Sequence, residues 1–248
     1  MVLENLTGDY QLENVTMRYG DELAFTSPGL RIRPGERVGI IGQVGAGKSS
    51  LLRLLSGMYK PESGRLLLDG VDLAQIAKTV LAEQIAYVQQ DGRMFAGTLR
   101  ENLTLGLLDP GDDALLTAAR ATGLYESVIR PHGRGLAREI HEGGSGLSAG
   151  QRQLVSLTRA LLRNPKIWLL DEPTASMDSA LAAKALKALA DAVEEDDTLV
   201  IVTHKLELLH LVDRVIVVAN HRVMLDGARD KVLDSLRDAG RKAVAKAS

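Results

Sequence analysis

The sequence predicts an α/β protein: a parallel-sheet core around a phosphate-binding loop, an antiparallel sheet beside it, and an inserted helical stretch. Three observations predict it. The run Ile40-Ile41-Gly42-Gln43-Val44-Gly45-Ala46-Gly47-Lys48-Ser49-Ser50 fits G-x-x-x-x-G-K-[ST], after an apolar strand-like run from Val38 and before the leucine-rich helical segment Ser50 to Leu55. Lys166 to Leu170 is nearly all apolar and ends in Asp171-Glu172-Pro173, as suits a central parallel strand covered on both faces. Between Asp91 and Asn164 the pattern turns helical, with apolar residues at Leu115, Leu116 and Ala119 and again at Leu154, Leu157, Leu161 and Leu162.

Taken in order, Tyr10 to Tyr19 alternates apolar and polar after Leu12 and breaks at Gly20-Asp21. Leu30 to Arg33 alternates too, and Pro34-Gly35-Glu36 turns into the strand that feeds the loop. Gly57 and Lys60 to Gly64 punctuate the chain before a strand over Arg65 to Leu68. Ala86 to Asp91 reads as a short strand with a polar end. A second helical piece, Leu124 to Ile129, follows Gly123. Ser148 and Gln151 have the spacing of a capping box, and Asn164-Pro165 stops the helix behind it. Leu181 to Val193 is an alanine-rich helix, and Thr198 to Val202 a second buried strand ending at Thr203-His204. Val215 to Ala219 and Arg222 to Leu225 flank Asn220-His221, which predicts a two-residue hairpin. The tail from Gly240 to Ser248 is expected to fray.

The chemistry follows from these placements. Glycines let the loop backbone turn its N–H groups toward phosphate oxygens, and the helix behind adds its positive end. Lys48 would reach the β- and γ-phosphates and the Ser49 hydroxyl would take a place on Mg²⁺. Ligands gather at the carboxyl edge of open α/β sheets, where Asp171, Glu172 and His204 stand. Asp171 suits a Mg²⁺ site, Glu172 a general base for water, and His204 a γ-phosphate contact. A net charge of −2 gives no footprint for nucleic acid, and the lack of cysteine excludes disulfides and thiolate zinc sites. No apolar run approaches the roughly 18 residues of a membrane helix. Met1 to Asn5 lacks a leader pattern, so the chain is expected to be soluble.

Leu147-Ser148-Ala149-Gly150-Gln151, taken with the loop, resembles the L-S-G-G-Q signature of the nucleotide-binding domains of ABC (ATP-binding cassette) transporters. The resemblance runs from about Tyr10 to Leu236. It implies a P-loop NTPase (RecA-like) core, an antiparallel β-subdomain and an inserted helical subdomain, the ABC ATPase fold. The whole chain would be one nucleotide-binding domain, with core residues 10–90 and 165–239, helical subdomain 91–164 and tail 240–248. It implies ATP and Mg²⁺ as cofactors. By resemblance Tyr19 stacks on adenine, and Gly42, Gln43, Val44, Gly45, Ala46, Gly47, Lys48, Ser49 and Ser50 wrap the phosphates. Gln90 links γ-phosphate and Mg²⁺ to the helical subdomain, and Asp171 and Glu172 are the Mg²⁺ aspartate and catalytic glutamate. Asp178 is the dimer-loop aspartate and His204 the switch histidine. Ser148, Gly150 and Gln151 would cover ATP held by a second nucleotide-binding domain, packed head to tail.

Four positions depart from the family pattern. Ala149 replaces a glycine, Gln89 and Gly92 stand where proline is frequent, and Lys205 replaces arginine. Ala149 would be costly if that position needs φ > 0 or close phosphate approach, and the missing prolines would loosen the loop around Gln90. Arg93 to Leu103 resembles the exporter segment that docks on a membrane coupling helix. With Ser176-Met177-Asp178, it points to bacterial type I secretion ATPases, which work at the cytoplasmic face of the inner membrane with a membrane-fusion protein and an outer-membrane channel. The six membrane helices usual in such exporters would be on a separate subunit or cut away. Alternatives are a lipid, peptide or drug exporter, a soluble ABC protein of DNA repair or translation, and an assembly component that binds ATP without turnover.

Overall fold

The computed structural model describes the backbone of residues 5–247 and the side chains of 5–239; Met1 to Glu4, four of the five residues in the leader reading, and Ser248 lie outside the described residues. In chain order the elements are β1 (Tyr10–Tyr19), β2 (Glu22–Ile32), β3 (Arg37–Ile41), α1 (Lys48–Leu55), β4 (Ser63–Leu68), β5 (Val71–Asp72), α2 (Lys78–Gln84) and β6 (Ile85–Val88). There follow β7 (Gly97–Thr98), α3 (Leu99–Thr104), α4 (Asp112–Thr122), β8 (Glu139–Ile140), α5 (Ala149–Arg163), β9 (Ile167–Asp171) and α6 (Ser179–Ala192). The chain closes with β10 (Thr198–Val202), β11 (Arg214–Ala219), β12 (Arg222–Ala228) and α7 (Arg229–Ala247). Two compact units result, one built on Ala77–Asp197 and the other on Leu6–Ile76 with the chain from Thr198 onward.

In the second unit β3 lies between β10 and β11 and runs parallel to both, with Val202 opposite Ile40 and Val217 opposite Ile41. Val38, Ile40 and every residue of β10 are buried, as continuous apolar runs in parallel sheets require. β11 and β12 form a hairpin, and β1 pairs antiparallel with β2 and with β4. Strand β2 begins at Glu22, well before the alternation at Leu30 that announced it. Pro28-Gly29 hides this strand in the sequence. The β1–β2 register runs unbroken past Pro28, which has no N–H to donate, and shifts only between Met17 and Arg18; Asn14, at φ 48, falls instead where the β1–β4 register shifts.

In the other unit β6 and β9 run parallel, with Val88 opposite Leu170, and all of β9 is buried. Helices α3 to α6 pack within this unit, so the inserted residues 91–164 lie wholly inside it. Lys166 bridges Asp196 and Asp197 beyond β9, and the buried Trp168 indole N–H donates to Asp197 at 3.3 Å. Two expectations need correcting. Strand β6 stops at Val88, leaving Gln89 and Gln90 outside it, whereas the segment after Gly123 is helical as read, a single π-helical turn over Tyr125–Ile129. The tail from Gly240 does not fray: its backbone continues α7 to Ala247. Alanine and lysine, the residues that dominate it, are strong helix formers.

Candidate functional site

In the second unit the phosphate loop leaves β3 and His204 follows β10, so the parallel register brings both to one carboxyl edge. Thr203 fixes the exit of β10: its N–H donates to the Ile40 carbonyl at 3.2 Å and its Oγ1 accepts the Lys205 N–H at 2.9 Å. Gly47, at φ 104, is the N-cap of α1 and makes no side-chain cap bond. A Cβ on Gly47 would stand 2.5 Å from the Ala24 carbonyl oxygen. Only glycine fits. Lys48 is 6% exposed, and its ammonium donates to the carbonyls of Gly42 at 2.9 Å and Gln43 at 2.7 Å.

The hairpin tip predicted at Asn220-His221 has a further role that sequence reading missed. Both residues have positive φ, 48 and 61, as the tight twisted turn demands. The His221 N–H donates to the Ala46 carbonyl at 3.0 Å, and its own carbonyl accepts the Thr26 N–H at 2.8 Å. The tip thus braces the phosphate loop against β2. Tyr19 ends β1 with 37% of its surface exposed; Tyr59 meets it edge-on at 5.4 Å and Arg53 donates to its hydroxyl at 2.8 Å.

In the other unit the same logic gathers the remaining carboxyl-edge residues. Gln90 follows β6 and Asp171 closes β9, with Asp171 5% exposed. Glu172 adopts φ 47, a left-handed conformation that costs a non-glycine residue about 1–3 kcal/mol and that clusters at active sites. Its carbonyl accepts N–H groups from Ala175 at 3.1 Å and from the Gln153 side chain at 3.1 Å.

The signature stretch opens α5 with the capping box its spacing predicted. Ser148 Oγ accepts the Gln151 N–H at 3.2 Å, and Gln151 Oε1 accepts the Ser148 N–H at 2.9 Å. Gln151 also donates to the Ser127 carbonyl at 2.9 Å. Ala149 is exposed, is the first residue of the helix and has no positive φ, so the feared backbone cost is absent. Gly150 is the demanding position: a Cβ there would lie 2.6 Å from the Ser176 carbonyl oxygen. Gly92, read as loosening the glutamine loop, packs on α5 instead, where a Cβ would come 2.5 Å from the Arg152 carbonyl oxygen. Asp178 caps α6, accepting the Leu181 N–H at 2.9 Å.

A groove of about 240 Å³ opens in this unit, lined in part by Tyr87, Gln89, Arg93, Phe95, Arg159 and Arg163. Arg159 donates to the Asn102 carbonyl at 2.7 Å, while its buried Nη2 has no partner among the described residues. Burial, helped by the neighbouring Arg163, lowers its pKa to about 10, so it stays charged at neutral pH.

The ABC transporter family model matches residues 25–175, more than half of the sequence. The chain belongs to the ABC transporter family. It is an ATPase domain of that family with the ABC ATPase fold. It is 38% identical over 224 residues to the mycobactin import ATP-binding/permease protein IrtB of Mycolicibacterium thermoresistibile, covering 90% of this chain and 38% of that protein. It is 35% identical over 232 residues to the ATP-dependent lipid A-core flippase of Neisseria gonorrhoeae, covering 93% of this chain and 37% of the other. The structure of a bacterial Atm1-family ABC exporter with ATP bound aligns with a TM-score of 0.85 at 29% identity, over 94% of this chain and 41% of that one. This ABC ATPase domain therefore spans well under half the length of these relatives. Among its described residues no helix is long and apolar enough to cross a membrane.

Proposed function

We propose that this ABC ATPase domain binds and hydrolyses MgATP in a head-to-tail pair of nucleotide-binding domains and so drives an exporter. The observation that carries the reading is the loop itself: a glycine-capped helix N-terminus beside a buried lysine suits a polyphosphate. Tyr19 offers an aromatic face for adenine. The loop Gly42 to Ser50 wraps the phosphates, with Lys48 opposing their charge. Ser49, Gln90 and Asp171 provide oxygen ligands of the kind Mg²⁺ takes, and the ion supplies charge neutralisation when bound. Glu172 takes a proton from water, and His204 orients the γ-phosphate side of the site. Ser148, Gly150, Gln151 and Asp178 serve the partner's nucleotide, the first three at an α5 N-terminus whose dipole favours an anion.

The groove around Arg159 supports a membrane partner. A buried guanidinium nitrogen in need of an acceptor suits a short coupling helix that presents carbonyl or carboxylate oxygens from a transmembrane domain. Such a partner would hold the domain at the cytoplasmic face of the inner membrane.

For cargo, the segments Arg93 to Leu103 and Ser176 to Asp178 favour type I protein secretion, with a membrane-fusion protein and an outer-membrane channel. The relative named as a lipid A-core flippase favours a second reading, a lipid exporter, while the relative named as a mycobactin import protein moves its cargo the other way. Co-purification from membranes with a fusion protein supports the first; a membrane partner without one supports the second.

ATP turnover should rise more than linearly with protein concentration and vanish in Lys48→Ala. Glu172→Gln should form a dimer in ATP and Mg²⁺. Turnover that is linear in concentration and survives both substitutions refutes the reading.

A further inference from the structure

Gln153 belongs to none of the motifs, yet it is 1% exposed and its amide makes three hydrogen bonds to backbone groups of two loops, the one after β6 and the one between β9 and α6. Its Nε2 donates to the Gln90 carbonyl at 3.0 Å and to the Glu172 carbonyl at 3.1 Å, while its Oε1 accepts the Ser176 N–H at 3.0 Å. Both amide hydrogens and the amide oxygen are thereby used, a full match of donors and acceptors in a buried place. The residue sits in α5 one turn behind the Ser148 cap, so the helix that carries the signature holds both loops through one side chain. Steric contacts repeat the pattern on either side of it. Gly150 lies against the Ser176 carbonyl, and Gly92 lies against the α5 backbone at Arg152.

We propose that Gln153 is a positioning residue for ATP hydrolysis: it fixes the backbone of the catalytic-site glutamate and makes the glutamine loop, the Glu172 turn and the dimer loop follow the signature helix as one body. The proposal rests on the functional reading given above and names the device that couples its parts. Glu172 needs such support because its left-handed backbone persists only where neighbours over-determine it. Gln153 donates to the carbonyl of that very residue. A second copy closing on Ser148 would therefore press, through α5, on the place where water is activated.

Gln153→Met keeps the size and removes all three bonds. Gln153→Glu keeps an oxygen toward the Ser176 N–H and replaces the Nε2 donor. In the full chain each variant is assayed for melting temperature, MgATP turnover and amide exchange over 89–92 and 172–178. Expected for a folded variant are a kcat at least tenfold lower, a KM for ATP within twofold of wild type, and faster exchange in both segments together. A kcat within twofold of wild type, a kcat that falls only in step with the folded fraction, or faster exchange in one segment without the other overturns the proposal. If Gln153→Met does not fold, Gln153→Glu decides by the same measures; failure of both to fold also overturns it, since the residue is then structural. Wild-type turnover that survives Glu172→Gln counts against the functional reading, and the exchange data, which need no turnover, still judge Gln153.

Discussion

Replacing Gly150 by alanine would place a methyl carbon 2.6 Å from the Ser176 carbonyl oxygen and 3.7 Å from the Met177 Cα, both backbone atoms. Carbon and carbonyl oxygen approach comfortably at about 3.3 Å, so α5 and the dimer loop must part by roughly 0.7 Å. Overpacking of this kind costs about 1–3 kcal/mol. The same movement stretches the 3.0 Å bond from Ser176 N–H to Gln153, for which a net loss of about 1 kcal/mol is the usual scale. A total of about 2–4 kcal/mol lowers a urea midpoint by roughly 1–2 M, taking a slope of about 2 kcal/mol per molar. The comparison is Ala149→Gly, one residue earlier. That position is exposed and helical without positive φ, so losing the methyl costs at most about 1 kcal/mol. Urea unfolding of both variants beside wild type is the assay. Equal midpoints for Gly150→Ala and wild type, or a larger loss in Ala149→Gly, would refute the packing argument.

Other expectations follow from the same geometry. Thr98 and Glu101 form a reciprocal cap on α3, which the sequence reading passed over, and Thr98→Ala should cost about 1 kcal/mol in urea unfolding while Thr98→Ser costs little. Asn220→Ala forces alanine into φ 48 at the hairpin tip and should cost about 1–2 kcal/mol, with Asn220→Gly tolerated. Glu126 is held below the usual carboxylate range, chiefly by the hydrogen bond from Lys184. Its contribution is present above the ordinary glutamate value and is lost as pH falls through the lowered folded value. The stability gap between wild type and Lys184→Met should therefore be at most about 1 kcal/mol at neutral pH, the pair being well exposed, and should close below about pH 4 in acid titrations.

Local signals were legible where the residue that makes the signal also makes the structure. Ser148 and Gln151 cap their own helix, Asn164 in a left-handed conformation ends it, and Asn220-His221 turns its own hairpin. The failures share a cause. Strand β2 was hidden because Pro28-Gly29 reads as a break, while its pairing is set by β1 opposite. Gln89 and Gln90 continued a strand pattern, yet β6 ends at Val88, the last residue it pairs with β9. Gly92 was taken as freedom for a loop and serves as clearance for a helix. Gln153 had one faint mark, a glutamine four residues before Leu157 on the apolar stripe of α5, and nothing in the spacing says which groups it would meet.

The sequence by itself determined the phosphate loop, the order of the carboxyl-edge residues, the signature cap and with them the family, because each depends on neighbours a few positions away. Tertiary structure decided which glycine of the signature tolerates no methyl, why the hairpin tip braces the loop, and that Gln153 ties two loops to one helix. Those facts depend on distances between backbone atoms far apart in the chain, and such distances exist only once the chain has packed.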